Sequence, residues 1–267
     1  MPQGAGVRGG QATGMIILRI LGNGAIIAAE ISAVVAVAAF AFYDPFIFAA
    51  VTMGLSFVLG MQLEVARLRY ELPFYFGTGV PRSLFLTGCV GFVEAAFKAL
   101  VAGVATLFTF SGTNSDRLFW VAVVFGVCVY AGANLLRYIS IKAEALPIRW
   151  GYFRLAPLLG LAFSAGMALL AAAGVLPQQS VTGLGWKIIF ETPQNPSVEQ
   201  VSELLFQLKQ AFDQFIVSVL SQLMSADWAR LIAVVVSVNV LSGFVSAVYA
   251  ALIASGVRRA ERMLPQD

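Results

Sequence analysis

Long apolar runs separated by short polar connections dominate the chain from end to end. Each run has about the 20 residues that an α-helix needs to cross a hydrocarbon core of about 30 Å. We therefore predict an all-α, polytopic integral membrane protein with six transmembrane helices. The runs lie at about residues 20–43, 46–64, 84–110, 118–138, 155–176 and 229–255.

The same pattern divides the chain into five segments. The first apolar run is much longer than the core of a signal peptide, which has about 7–15 residues, so we expect it to be retained as a helix. The predicted segments are a flexible N-terminal lead-in (1–14), membrane helices one to five (15–176), an extracytoplasmic connection (177–228), the sixth transmembrane helix (229–257) and a basic cytoplasmic tail (258–267).

Basic residues fall mainly on one set of connections. Twelve Lys and Arg residues lie on the two termini and the second and fourth connections, and four lie on the opposite connections. Because positive flanking residues are retained in the cytoplasm, this bias predicts a multi-pass cell (inner) membrane protein with both termini cytoplasmic. The six predicted spans agree with that orientation, since an even number places both ends on one side.

The amino-acid composition excludes several classes of functional site. Hydrophobic residues make up 59% of the chain and charged residues 12%, about half the share of soluble domains. Histidine is absent, which excludes histidine-ligated haem, the commonest zinc and copper sites and any histidine base. The basic residues form no continuous stripe, so no nucleic-acid partner is expected. Cys89 and Cys128 lie within apolar runs and are interpreted as packing residues.

The clearest element of the extracytoplasmic connection is an amphipathic helix predicted over 197–224. Ser197 stands at the N-cap and Gln200 at the capping-box position. Its polar face carries Glu and Gln, which disfavours docking on anionic lipid headgroups. Three roles stay open: a lid over its own helices, a contact with another subunit, and binding to the membrane surface. The predicted packing stripe follows a heptad through Val201, Leu205, Leu208, Phe212, Phe215 and Val219.

Three helix ends on the basic side share a basic residue, a spacer and a Glu, followed shortly by Leu-Pro. Because proline disfavours helix in the preceding residue and cannot donate a hydrogen bond, we expect each helix to stop there. The pattern has two interpretations: three helical hairpins related by duplication, or convergent use of one exit signal. The residues are Arg69, Glu71 and Pro73, then Lys142, Glu144 and Pro147, then Arg259, Glu261 and Pro265.

Ionisable residues inside the apolar runs are the candidate site. Glu94 and Lys98 lie four residues apart on one helix face, at a depth where an unpaired charge costs about 2.5–3.5 kcal/mol. One interpretation is an interhelical clamp in which Lys98 pairs with Glu94 or Glu30, and the other is a polar route across the membrane. The predicted intramembrane polar cluster comprises Glu30, Glu94, Lys98, Asn23 and Asn239.

No pattern of phosphate-binding glycines, nucleophile elbow or metal ligands occurs, so we expect neither an enzyme nor a cofactor. We expect the lipid bilayer and other membrane subunits, or further copies of the chain, as partners. The favoured function is a non-catalytic subunit or scaffold of a secretion, conjugation or energy-transducing assembly. The alternative is a channel or secondary transporter, disfavoured because the prolines lie near the span ends and mark no helix interruption at mid-membrane.

Overall fold

The computed structural model describes residues 6–76, 84–176 and 197–263, and all regular structure in those ranges is helical. A π turn, Gly151–Leu155, joins α5 to α6, and a short 3-10 turn, Val238–Leu241, precedes α9. The helices are α1 (Gly6–Tyr43), α2 (Pro45–Phe76), α3 (Leu84–Thr109), α4 (Ser115–Lys142), α5 (Pro147–Trp150), α6 (Ala156–Ala172), α7 (Val198–Leu223), α8 (Ala226–Val236) and α9 (Ser242–Met263).

Six helical segments are long and apolar enough to cross a membrane, which confirms the multi-pass membrane class. The first, third and fourth agree with the predicted runs to within a few residues, whereas the second ends later, the fifth starts earlier, and the sixth both starts and ends later. α1 begins at Gly6, inside the expected flexible lead-in. The segments are Ile20–Tyr43, Pro45–Glu71, Thr87–Thr109, Ser115–Lys142, Pro147–Ala172 and Asn239–Met263.

The bundle is organised around α9, which packs on α4 and α6, while α2 packs along α3 and α1 along α4. An aromatic core joins these units: the ring of Phe48 stacks on Tyr249 at 5.2 Å and meets Phe110 and Phe125 edge-on at 5.7 and 5.9 Å. The hydroxyls of Thr52 and Tyr249 hydrogen-bond at 2.9 Å. This core fixes the α2–α3 pair against the rest of the bundle.

Small residues let the helices approach closely. A Cβ added at Gly243 would lie 2.2 Å from the carbonyl oxygen of Ala156, and one at Gly160 would lie 2.2 Å from that of Val240. Because lipid does not drive apolar helices together, such close backbone packing stabilises membrane bundles. The contact of α6 with the start of α9 therefore depends on glycine at both positions.

Of the three proline-terminated helix ends, α4 ends at Lys142, before Pro147, as expected, and α2 differs from expectation. α2 continues through Pro73 to Phe76, since the loss of one donor does not by itself end a membrane helix. Pro147 opens α5 after an extended Leu146, in the first turn, where its missing N–H is not needed. Pro265 lies outside the described residues. The three-hairpin duplication stays a prediction.

The other residues of those ends lie in differing surroundings. Arg69, Lys142 and Arg259 are exposed, and Glu144 is exposed with a backbone φ of 52°. Glu71 and Glu261 instead form ion pairs with arginines. The shared sequence pattern therefore has no single structural role.

Candidate functional site

The first group of ionisable residues lies between α2 and α3, and we call it the α2–α3 cluster: Glu64, Arg67, Glu94 and Lys98. The Glu64 side chain is fully buried, and its Oε1 accepts a hydrogen bond from the Lys98 ammonium. Its Oε2 lies 3.4 Å from Nη1 of Arg67, whose Nε donates to Glu71 at 2.6 Å. The buried carboxylate is thus held by a cation from each helix.

Glu94 completes this cluster in an unexpected way. It forms no ion pair with Lys98 within the described ranges; the Lys98 ammonium pairs with Glu64 instead. Its Oε2 is buried without a partner. The Lys98 ammonium lies 5.0 Å from the ring centres of both Tyr152 and Phe153 in the π turn. Cation–π contact therefore ties the cluster to the fifth span.

A second ion-pair group links the first, fourth and sixth spans. Nη1 of Arg137 on α4 lies 3.5 Å from Oε2 of Glu30 on α1, and Nη2 contacts Glu261 on α9. Arg258 approaches Glu261 at 2.7 Å. Glu30 is 3% exposed, so Arg137 supplies the countercharge that lets it remain buried.

Of the five residues in the predicted polar cluster, the structure brings Glu94 and Lys98 together. Glu30 belongs to the second group, Asn23 is exposed on α1, and Asn239 lies apart on the last span. Sequence reasoning missed the partners of Lys98 and Glu30 because it placed Glu64 and Arg137 at span ends. The signal at the first site was the spacing of Glu64, Arg67 and Glu71, which puts them on one helix face.

The predicted sixth apolar run, 229–255, is interrupted at Ser237–Leu241, which we call the helix break, and the spanning segment Asn239–Met263 begins within it. Between α8 and α9 the backbone extends at Ser237 and then forms a single 3-10 turn. The break contacts Gly160, which lies near the middle of the fifth span, so it falls deep within the bundle. The hydroxyl of Ser164 donates to the carbonyl of Val234 at 2.5 Å, just before the break. A continuous helix over 229–257 is therefore not what forms.

Asn239 lies inside the helix break with its side chain partly unsatisfied. Its backbone N–H donates to the hydroxyl of Ser237 at 3.1 Å, and its carbonyl accepts from that of Ser242. Its side-chain oxygen Oδ1 is buried and has no hydrogen-bond partner. A buried amide oxygen left unpaired costs about 1–3 kcal/mol, so this position is unfavourable for stability alone.

A cavity of about 540 Å³ adjoins the helix break, and we call it the break cavity. One wall is Lys209 of α7, which is 5% exposed. Burial and the nearby charge of Arg117 lower the pKa of Lys209 to about 7, although Asp213 acts in the opposite direction. The ammonium therefore changes charge near neutral pH. The lining residues are Phe108, Leu208, Lys209, Phe212, Val236, Ser237, Val240 and Leu241.

α7 packs against the connection between α3 and α4. Ser197 and Gln200 form the capping box, and the backbone N–H of Gly112 donates to the hydroxyl of Ser202 at 2.9 Å. The guanidinium of Arg117 lies 4.0 Å from the ring centre of Phe206. The face of α7 buried against the bundle is therefore centred on Ser202, Phe206 and Lys209.

The predicted packing stripe of α7 lies beside that face rather than on it. Val201 and Leu205 are half-buried, whereas Leu208, Phe212, Phe215 and Val219 are 40–65% exposed. Gly112 and the buried Lys209 instead place the neighbouring face of α7 against the bundle. Leu208 and Phe212 line the break cavity, and Phe215 and Val219 at the far end of the stripe are exposed.

Comparison of the chain with protein-family models, with curated proteins and with solved structures finds no match. The architecture therefore defines the class on its own: an all-helical chain with six helices able to span a membrane.

Proposed function

We propose that the chain is a secondary transporter or channel whose solute site is the break cavity. The observation that carries this proposal is the helix break at Ser237–Leu241, which separates α8 from α9 and contains the unpaired side-chain oxygen of Asn239. Transporter sites are typically built where a membrane helix is discontinuous near the midplane, because the freed backbone groups bind substrate or ions.

The break is otherwise difficult to explain. Irregular backbone at membrane depth is tolerated only where it is buried in protein or lines a wet cavity, since each unsatisfied group costs several kcal/mol in hydrocarbon. Here the break adjoins a cavity of about 540 Å³ that also presents Lys209. Lys209 and Ser237 line this cavity, and the unpaired Oδ1 of Asn239 lies in the adjoining break. A titratable cation and hydroxyl and amide oxygens suit an ion or a small polar solute.

The two ion-pair groups act as clamps in this proposal. Lys98 joins α3 to α2 through Glu64, and Arg137 joins α4 to α1 and α9 through Glu30 and Glu261. Glu64, Glu30 and Glu261 are each paired with a nearby cation, which favours fixed contacts between helices over a route through these groups. The sequence favoured a scaffold because no interruption was visible; the helix break reverses that preference.

A second candidate is the subunit of a membrane assembly for secretion, conjugation or energy transduction. The exposed stripe on α7 favours it, because Leu208, Phe212, Phe215 and Val219 would be covered by another subunit or another copy. In either case we propose insertion in the cell inner membrane with α7 outside and both termini in the cytoplasm, as the basic flanks predict.

Flux in proteoliposomes tests the first proposal. Purified protein is reconstituted, and uptake of a panel of inorganic ions, carboxylates and amines is followed by electrogenic current and by internal pH. We expect saturable flux of one solute, lost in Asn239→Ala and retained in Asn23→Ala, an amide control at an exposed position of α1. Absence of flux for the whole panel in folded protein would contradict a transporter.

Purification in mild detergent tests the second candidate. Stoichiometric partners, or a defined oligomer that Phe212→Asp dissociates without unfolding the chain, would support assembly through the α7 stripe. A folded monomer with measurable flux, unchanged by Phe212→Asp in size or stability, would contradict it.

A further inference from the structure

A second, larger hollow lies where α2, α3, the π turn and α9 meet, and we call it the basic groove. Its volume is about 790 Å³, and it contacts neither the helix break nor Lys209. Its wall is part charged and part apolar. Four cations and one carboxylate line it, namely Arg67, Lys98, Arg149, Arg154 and Glu71, and its apolar residues include Phe97, Val101, Trp150, Pro157 and Phe244.

The four cations of the groove are not equivalent. Lys98 and Arg67 are already paired with Glu64 and Glu71. Arg149 and Arg154 are exposed, and within the described ranges neither forms an ion pair. The groove therefore carries two guanidinium groups whose charge no carboxylate of the described fold neutralises.

The π turn explains why these two arginines line the same groove. At 100° per residue, an α-helix would place positions five apart on well-separated faces, about 140° from each other. A π turn hydrogen-bonds from i to i+5 and brings such positions close to one line. The turn Gly151–Leu155 begins two residues after Arg149 and contains Arg154. The widened turn thus builds the groove as well as presenting Tyr152 and Phe153 to Lys98.

We propose that the basic groove binds an anionic phospholipid, with its phosphate held by Arg149 and Arg154. Guanidinium groups bind phosphate through paired, charge-assisted hydrogen bonds. Basic pockets between membrane helices at the leaflet that carries anionic lipid are recognised sites for such headgroups. Phe97, Val101, Pro157 and Phe244 supply the apolar wall along which acyl chains lie. The apolar wall would contribute nothing to the binding of a free phosphate ion.

The site acts independently of the break cavity. A lipid bound there spans α3, α6 and α9 and stabilises their packing, because a ligand that binds only the folded state raises the free energy of unfolding. The bound lipid is a structural ligand of the bundle and not the transported solute.

Lipid titration of the purified full chain tests this proposal. Native mass spectrometry measures binding of phosphatidylglycerol and phosphatidylcholine to detergent-purified protein, with inorganic phosphate or glycerol 3-phosphate as competitor. We expect phosphatidylglycerol to bind more tightly than phosphatidylcholine. Arg149→Gln with Arg154→Gln should weaken phosphatidylglycerol binding about thirtyfold, about fivefold for each cation.

The matched control removes two exposed cations elsewhere, Arg69→Gln with Lys142→Gln. It should leave phosphatidylglycerol binding within about twofold of the unmodified chain, since general surface charge is reduced equally in both doubles. If the Gln double variant is not recovered folded, Arg149→Lys with Arg154→Lys keeps the charge and should still weaken binding, because paired hydrogen bonds are lost.

Several outcomes would overturn the proposal. If the control variant Arg69→Gln with Lys142→Gln loses as much phosphatidylglycerol binding as the groove variant, the lipid is attracted by net charge alone. Equal affinity for the two lipids would remove the role of the headgroup, and displacement by millimolar phosphate would identify a soluble anion as the ligand. None of these results depends on flux, so the lipid site and the solute site can fail separately.

Discussion

Removing the Lys98 ammonium perturbs the α2–α3 cluster most sharply. The substitution Lys98→Met keeps most of the side-chain volume but leaves Glu64, whose side chain is 0% exposed, without its closest cation. Breaking a buried ion pair costs about 3–5 kcal/mol, because the remaining charge is buried and uncompensated. We therefore expect a large loss in the free energy of unfolding.

The attraction that remains between Arg67 and Glu64 determines how large the loss in the free energy of unfolding is within that range. Its Nη1 lies 3.4 Å from Oε2 of Glu64, which corresponds to about 5 kcal/mol of attraction at an effective dielectric constant of 20. That attraction is weakened by solvent, since the Arg67 side chain is 40% exposed, and by sharing with Glu71. Partial compensation places the expected loss for Lys98→Met at the lower end, about 3 kcal/mol.

Unfolding by SDS in mixed detergent micelles measures this loss. Lys142→Met is the control, since Lys142 is exposed at the end of α4, and should stay within about 0.5 kcal/mol of the unmodified chain. Adding Glu64→Gln to Lys98→Met removes the stranded charge and should restore most of the stability. The reasoning is refuted if Lys98→Met is as stable as Lys142→Met, or if the double variant is no more stable than Lys98→Met alone.

Three further predictions concern the rest of the bundle. Arg137→Met should lower the free energy of unfolding by about 3 kcal/mol, because Glu30 loses its cation, and a conservative Arg137→Lys should recover part of it. Gly160→Ala should destabilise by about 2 kcal/mol through a Cβ placed 2.2 Å from a backbone oxygen, whereas Gly54→Ala, with open space around it, should not. Stability should rise between about pH 7 and pH 9, by up to about 1.4 kcal/mol per unit. The reason is that the pKa of Lys209 is about 7 in the folded chain and 10.5 ordinarily, so between these values the unfolded chain binds one more proton than the folded chain. Lys209→Met should remove this rise of stability with pH.

Span number was predictable because hydrophobic length is a strong local signal. The six apolar runs needed no knowledge of which helix contacts which. Proline gave one wrong helix end because its effect depends on position: α2 continues through Pro73, whereas α4 ends at Lys142 and Pro147 opens α5. Without the tertiary contacts, the sequence around a proline does not show whether a helix ends before it or continues through it.

The partners within the site were not predictable from spacing alone. Lys98 has Glu94 four residues away on its own helix, yet it pairs with Glu64 from α2, because Gly60 and Gly91 bring the two helices close enough for that contact. The helix break was missed for a related reason. No proline marks Ser237–Leu241; the interruption coincides with the close approach of Val240 to Gly160, a contact between distant parts of the chain.

Accessibility of the helix break to water tests the central claim most directly. In a background with Cys89 and Cys128 replaced by Ala, Ser237→Cys places a thiol on the break cavity, while Ser246→Cys places one in the fully buried part of α9. With the protein in proteoliposomes, a small hydrophilic maleimide should label residue 237 and not residue 246, and the transported solute should slow the labelling. Residue 237 as unreactive as residue 246 would mean a dry, structural break and would contradict the proposed solute site.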